Sequence, residues 1–215
     1  MVGSQVSAVP FTMRSFDPRE EDPANIYKLM VGSIVPRPIA FVSTVDADGI
    51  RNLAPFSYFS AVCSEPPTIL FCPAIRSSTG ANKDTLNNIR ATKEFVVNIV
   101  SEEIASQMNQ TAAEVGPEVD EFELAQLTPL ASVHIRAPRV AESPAQMECR
   151  LREVITISDQ PGGGSIVIGE VVLFHLREDL VVNYRVDADK LRAIGRMGGP
   201  TYCRTQDRFD LERPK

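Results

Sequence analysis

The chain has 215 residues, 43% of them hydrophobic and 23% charged, a balance that supports one packed domain and excludes disorder. Lys and Arg total 22 against 28 Asp and Glu, a net charge of −6, which argues against a nonspecific nucleic-acid binder. No apolar run approaches the length of a bilayer-spanning helix, and the first dozen residues lack the basic start of a secretory signal, so a soluble, cytoplasmic protein with no membrane partner is expected.

In chain order, residues 37–45 are rich in β-branched and aromatic side chains and run into the turn Asp46-Ala47-Asp48-Gly49. The chain then returns over 50–62, so 37–62 reads as a β-hairpin. Pro55 lies in the second arm and, lacking an N–H, is expected to interrupt its pairing. Pro66-Pro67 closes that arm, and 68–75 supplies a further strand. A short helix is predicted from Lys83 to Ala91, with Leu86 and Ile89 inward. Residues 94–100 read as a strand and 102–112 as a helix capped by Ser101. The stretch 113–131, with Gly116, Pro117 and Pro129, reads as a long surface loop. From Glu94 to Val133 there are eight acidic residues and no Lys or Arg, the pattern of a solvated acidic face.

In 146–158, Met147, Cys149, Leu151, Ile155 and Ile157 share one phase of a strand, and Glu148, Arg150 and Arg152 the other. After the loop 160–164, residues 165–176 form a strand apolar on both faces, with Glu170 and His175 on opposite sides. These elements indicate a mainly β, antiparallel barrel with short helical insertions, whose core includes Ile39, Phe41, Val97, Ile99, Leu151, Ile168 and Val172. Cys63, Cys72 and Cys149 lie in apolar runs and read as small buried hydrophobes, while Cys203 follows a Gly-rich turn. Two histidines cannot make a three-His metal site, no metal is expected, and no G-x-S-x-G elbow supports a hydrolase.

Three segments carry candidate chemistry. Residues 76–85 pack Arg76, Ser77, Ser78, Thr79, Gly80, Lys83, Asp84 and Thr85 just before a helix. Cations, small hydroxyls and free N–H groups are what a phosphate monoester needs, although a capped helix with a polar loop has the same composition. In 52–59, Asn52, Ala54, Pro55, Phe56 and Ser57 offer unpaired backbone groups and aromatic walls that suit a heteroaromatic ring, or else form a bulged strand. Residues 194–202 present Arg196 and Tyr202 on a tight turn, for a ligand or for a surface or subunit contact. Gly162-Gly163-Gly164 lies between two strands and is no dinucleotide fingerprint.

Taken together, Pro36-Arg37-Pro38-Ile39-Ala40, Ala54-Pro55-Phe56-Ser57-Tyr58-Phe59, Lys83-Asp84-Thr85, Glu148-Cys149, Gly169-Glu170-Val171 and Gly195-Arg196-Met197-Gly198-Gly199 resemble the flavin reductase-like family, in family order. The resemblance covers roughly 25–205, leaving 1–24 as an extension and 206–215 as a tail. It extends to the longer branch with the C-terminal Arg-x-Gly-Gly turn. It implies an antiparallel Greek-key split β-barrel that binds FMN and works as a homodimer. Arg37 would belong to the flavin site, and Asn52, Ala54, Pro55, Phe56 and Ser57 would line the isoalloxazine edge. Arg76, Ser77, Ser78, Thr79, Lys83, Asp84 and Thr85 would hold the phosphate, while Arg196 and Tyr202 would approach the flavin. The implied activity is an FMN-dependent oxidoreductase that takes hydride from NADH or NADPH. It passes electrons to a small-molecule acceptor (free flavin, a quinone or a nitroaromatic) or to a monooxygenase component. The alternative is a flavin or electron carrier without nicotinamide turnover. The protein would mainly position the rings and tune the flavin, and no residue is singled out as an acid or base.

Overall fold

The computed structural model describes residues 11–76 and 78–214. The order is α1 (Pro23–Ser33), β1 (Ala40–Val45), β2 (Arg51–Phe56), β3 (Phe59–Ser64), β4 (Pro67–Phe71), α2 (Asp84–Thr92), β5 (Glu94–Ile99), α3 (Ala105–Gln110) and α4 (Glu121–Leu124). Then come β6 (Pro129–Leu130), β7 (Arg139–Val140), β8 (Ala145–Ser158), β9 (Gly164–Leu176), β10 (Val181–Val182), β11 (Arg185–Val186), α5 (Ala188–Leu191), β12 (Ile194–Arg196) and β13 (Tyr202–Arg204). Seven strands form one antiparallel sheet in the order β2-β1-β5-β8-β9-β4-β3.

The sheet closes on itself. β2 and β3 are opposite edges, yet only Ser57 and Tyr58 separate them in the chain. A two-residue link brings the edges within about 11 Å of each other at this point. β2 and β3 do not pair, so the barrel keeps an open seam there.

The hairpin expected over 37–62 is therefore confined to β1 and β2, because 59–64 pairs instead with β4. Pro55 does not interrupt β2. It stays in register opposite Phe41, in the same phase as Leu53 opposite Ser43. The Leu53 N–H donates to Glu121, away from β1, so a proline in this phase removes no ladder bond.

β1 alternates between two cores. Ala40 and Val42 face the barrel interior with Phe56, Phe71, Phe95, Val97, Cys149, Val167 and Val171, plugged by Leu86 and Ile89 of α2. Phe56 and Phe95 flank Phe71, with ring centroids 5.0 and 5.5 Å away. Phe41 faces outward with Ile39 and Leu53, under Ile104, Met108 and Phe122. Ile39, Phe41 and Val97 are buried as expected, whereas Ile99, Leu151, Ile168 and Val172 are only partly covered.

Five further expectations need correction. The helix over 102–112 is broken into a 3-10 turn, Glu102–Ile104, followed by α3, and Ser101 precedes it without a side-chain cap bond. The loop over 113–131 contains α4, because Asp120 caps the N–H of Phe122, and Phe122, Ala125 and Leu127 anchor it in the outer core. Its neighbourhood is not one solvated acidic face: Glu121 is buried, Asp120 pairs with Arg51 at 2.5 Å and Glu102 with Arg192 at 2.7 Å. In β8, bulges at Glu148/Cys149, Leu151/Glu153 and Thr156/Ser158 shift the phase. Ile155 and Ile157 are thereby exposed, while Glu148 stays in the outward phase opposite Val96 and is buried under the loop of Val133 and His134. All four cysteines are free. Cys149 is buried, with burial pushing its thiol far up, but Cys63 is exposed on the edge strand β3. No helix among the described residues is long and apolar enough to cross a membrane.

Candidate functional site

At the seam, the start of β2 meets the N-terminus of α2. Between them lies a narrow cleft of about 20 Å³ lined by Asn52, Ala54, Arg76, Lys83, Asp84 and Thr85. All six are residues expected from sequence to touch a flavin. Lys83 is the N-cap residue of α2, and its extended backbone places its side chain at the helix start. Arg76 is held by Asp84, Nη2 to Oδ2 at 2.5 Å. The Nε of Arg76 is buried and has no hydrogen-bond partner among the described residues. A buried, unpaired guanidinium N–H beside a lysine fits an anionic group such as a phosphate ester.

The cleft floor is a chain of hydrogen bonds. Thr85 Oγ1 donates to Asn52 Oδ1 at 2.6 Å, Asn52 Nδ2 donates to Glu121 Oε1 at 2.9 Å, and Leu53 N donates to Glu121 Oε2 at 3.1 Å. Burial pushes the Glu121 carboxyl above the usual range; the N–H donors of Leu53 and Asn52 oppose the rise, and the charge of Asp84 adds to it. Glu121 and Thr111 also line the cleft and were not foreseen. Glu121 fell in a stretch that reads as loop. Its available signal was Asp120-Glu121-Phe122, a capping residue followed by an apolar anchor.

The other expected residues lie elsewhere. The Phe56 ring packs into the barrel core, so it makes no wall at the seam. Ser57 Oγ accepts from Arg37 Nε at 3.3 Å. Arg37, 5% exposed, also donates to Val31 O and Ile34 O at 2.7 Å and to Met197 O at 3.0 Å. It thus ties the end of α1, the turn after β12 and the seam together. Pro55 is half-buried between Ala54 and Phe56 on β2. Ser78 donates to Glu114, and Thr79 Oγ1 accepts from Ala81 N within its own turn. Ser77 lies outside the described residues. The Arg196 guanidinium stacks 4.4 Å above the Tyr202 ring, and the Tyr202 hydroxyl donates to Asn109 at 3.3 Å.

On the other side of the Ser57-Tyr58 link is a larger apolar cleft of about 610 Å³, lined by Tyr27, Met30, Tyr58, Cys72, Ala74 and Gly162 among others. The loop 160–164 reaches it through Ile75 N to Gly163 O and Ser165 N to Pro73 O.

A seven-stranded antiparallel barrel split along one seam, with a cation-bearing polar cleft on that seam, defines the class: a split-barrel protein. A family model described as flavin reductase like domain matches residues 31–192. The chain belongs to the flavin reductase-like family, a family of flavin-linked redox proteins. An uncharacterized protein from Aquifex aeolicus is 42% identical over 187 residues, covering 86% of this chain and 93% of the relative. The crystal structure of nitrilotriacetate monooxygenase component B from Bacillus cereus is similar at a TM-score of 0.90 and 38% identity, over 94% of this chain and 100% of that one. The 2-nitrobenzoate 2-nitroreductase NbaA from Pseudomonas fluorescens is similar at a TM-score of 0.85 and 34% identity, over 94% and 96% of the two chains.

Proposed function

We propose that the protein is a homodimeric, FMN-dependent NAD(P)H oxidoreductase that hands electrons to a small-molecule acceptor or to a monooxygenase component. The observation that carries this reading is the cleft at the seam. Residues from β2, from the 76–85 segment and from α2, distant in sequence, converge there with an unpaired guanidinium N–H. Two of the similar proteins are named for nitro reduction and for a monooxygenase component, the acceptor classes proposed here.

In this reading Lys83 and Arg76 bind the phosphate by charge-assisted bonds. The outward-facing backbone of 53–57 meets the ring edge, and Arg37 holds that backbone still through Ser57. The apolar cleft at Tyr58 excludes water from a planar partner. Bound FMN supplies the two-electron chemistry between nicotinamide and acceptor. A second copy would cover the exposed apolar side chains of Tyr27 and Met30 on α1, of Ile34 just after it and of Val62 on β3. The functional domain spans 25–205, with α1 included from Pro23. The free thiols accord with a reducing cytoplasm.

The test is to purify the full chain, record its visible spectrum and add NADH or NADPH without oxygen. Rapid bleaching of the flavin band supports the reading. A yellow protein inert to both nucleotides is a flavin or electron carrier instead, and a protein that neither binds nor reduces FMN overturns the assignment.

A further inference from the structure

The apolar cleft beside Tyr58 has about 610 Å³, the size of a small-molecule site, and none of the described residues lining it is Lys, Arg, His, Asp or Glu. Its polar side chains are the phenols of Tyr27 and Tyr58, the thiol of Cys72 and the hydroxyls of Ser158 and Ser165. Burial pushes the Tyr58 phenol up; Tyr27 and Cys72 add to the rise and Arg37 opposes it. Burial also pushes the Cys72 thiol up, so both groups stay neutral at neutral pH. Arg37 approaches the Tyr58 ring to 6.0 Å from its centroid. Its N–H groups, however, donate to Ser57 and to the carbonyls of Val31, Ile34 and Met197, and it does not line the cleft. The run Gly162-Gly163-Gly164 leaves one stretch of the lining as bare backbone. A Cβ at Gly163 would come 2.6 Å from Ser158 O, and one at Gly164 3.0 Å from Pro73 O. Glycine there lets the hairpin end lie close and flat.

We propose that this cleft is the acceptor site and that it takes an uncharged aromatic molecule with carbonyl or nitro oxygens. The inference rests on the reading of the protein as an FMN-dependent oxidoreductase and narrows its acceptor class. Aromatic rings and bare backbone suit a flat ring, and a neutral phenol donates to a carbonyl or nitro oxygen. A carboxylate, sulfonate or phosphate brought inside would lose water and meet no cation. Tyr27 is 60% and Met30 46% exposed, so each has one flank in the cleft and another free for a second copy. In the reaction the acceptor gains two electrons and two protons. A quinone becomes a hydroquinone, or a nitro group becomes a nitroso group and water. The nicotinamide hydride supplies the electron pair and one proton, and solvent supplies the other proton.

The test compares 2-nitrobenzoate with its methyl ester, the same ring without the charge. Binding of each to the full-length, FMN-saturated protein is measured by equilibrium dialysis. The ester is expected to bind about ten- to a hundredfold more tightly. Ile157 lines the cleft and is 69% exposed, so Ile157→Lys should fold and should bring the ratio to one or below by giving the carboxylate a partner. Tyr58→Phe should weaken the ester about two- to tenfold by removing its donor. Protein photoreduced without oxygen should then be reoxidised by the ester faster than by the acid. Equal binding of acid and ester to wild type overturns the inference, as does an ester preference that neither variant moves, which would be nonspecific partition. An ester that binds but leaves the flavin reduced removes the acceptor role. Failure of both compounds to bind while FMN is held overturns the inference and leaves the FMN reading intact, whereas a protein that does not hold FMN overturns that reading itself.

Discussion

Glu148 Oε1 lies 2.7 Å from His175 Nε2, and the carboxylate is fully buried. The same group accepts from the N–H groups of Val133 and His134, each at 2.7 Å, so one side chain of β8 fixes both β9 and the loop before β7. Burial alone would push its pKa up, but the two backbone donors and His175 outweigh it and hold the carboxyl below the usual range. A carboxyl whose folded pKa is depressed stabilises the fold above its ordinary value, and the contribution is lost as pH falls through the folded pKa. Glu148→Gln is therefore expected to cost about 2–3 kcal/mol in urea unfolding at neutral pH. The gap to wild type should close as pH drops below the ordinary carboxylate range. A gap that stays constant into acid would show that shape, not charge, is what Glu148 contributes.

Gly169 of β9 sits against the Phe95 ring, and an added Cβ would come 2.3 Å from Phe95 Cζ. That carbon belongs to an aromatic ring at 0% exposure, wedged against Phe71, so it has no free rotamer to escape into. Gly169→Ala should cost roughly 1–3 kcal/mol or somewhat more by overpacking. Adding Phe95→Leu should recover part of that loss. Urea unfolding of the two single variants and the double variant measures the coupling, and additive losses would place the clash elsewhere.

Much of the barrel was legible in the sequence because its strands carry unbroken β-branched and aromatic runs, as in Phe41-Val42 and Phe95-Val96-Val97. The inward face of Leu86 and Ile89 followed from helical spacing. What stayed hidden depends on neighbours distant in the chain. Glu148 keeps the outward phase that strand alternation gives it, opposite Val96, and is buried because the loop carrying Val133 and His134 folds over it. Pro55 looked disruptive because strand phase relative to the sheet edge is set by pairing, not by composition. The 76–85 cluster stood out since its charges and hydroxyls are close in sequence, whereas Glu121 reaches Asn52 across 69 residues.

Arg37 illustrates the difference between a motif and a role. Its guanidinium has three carbonyl acceptors and one hydroxyl acceptor, all from other parts of the chain. Lysine cannot reproduce that fork of donors. Arg37→Lys should therefore lower stability by about 2–4 kcal/mol and loosen α1, seen as faster proteolysis near Ile34. If only FMN affinity changed, with stability and proteolysis as in wild type, Arg37 would be a ligand residue and not a tie.

The sharpest test of the phosphate assignment falls on Lys83. Arg76, the other cation of the cleft, is already paired with Asp84, while no carboxylate lies within ion-pair reach of Lys83 among the described residues. FMN carries close to two negative charges on its phosphate at neutral pH, and a protein of net charge −6 repels it at long range, so a local cation must supply the attraction. Lys83→Ala should weaken FMN about ten- to a hundredfold. Riboflavin, with the same rings and no phosphate, should be nearly unaffected. The fold should survive, because Lys83 is half-buried at the helix start and makes no side-chain cap bond there. Titrating both flavins into wild-type and variant apo protein decides the matter. Equal losses for the two flavins would move Lys83 away from the phosphate, and unchanged FMN affinity would remove it from the site altogether.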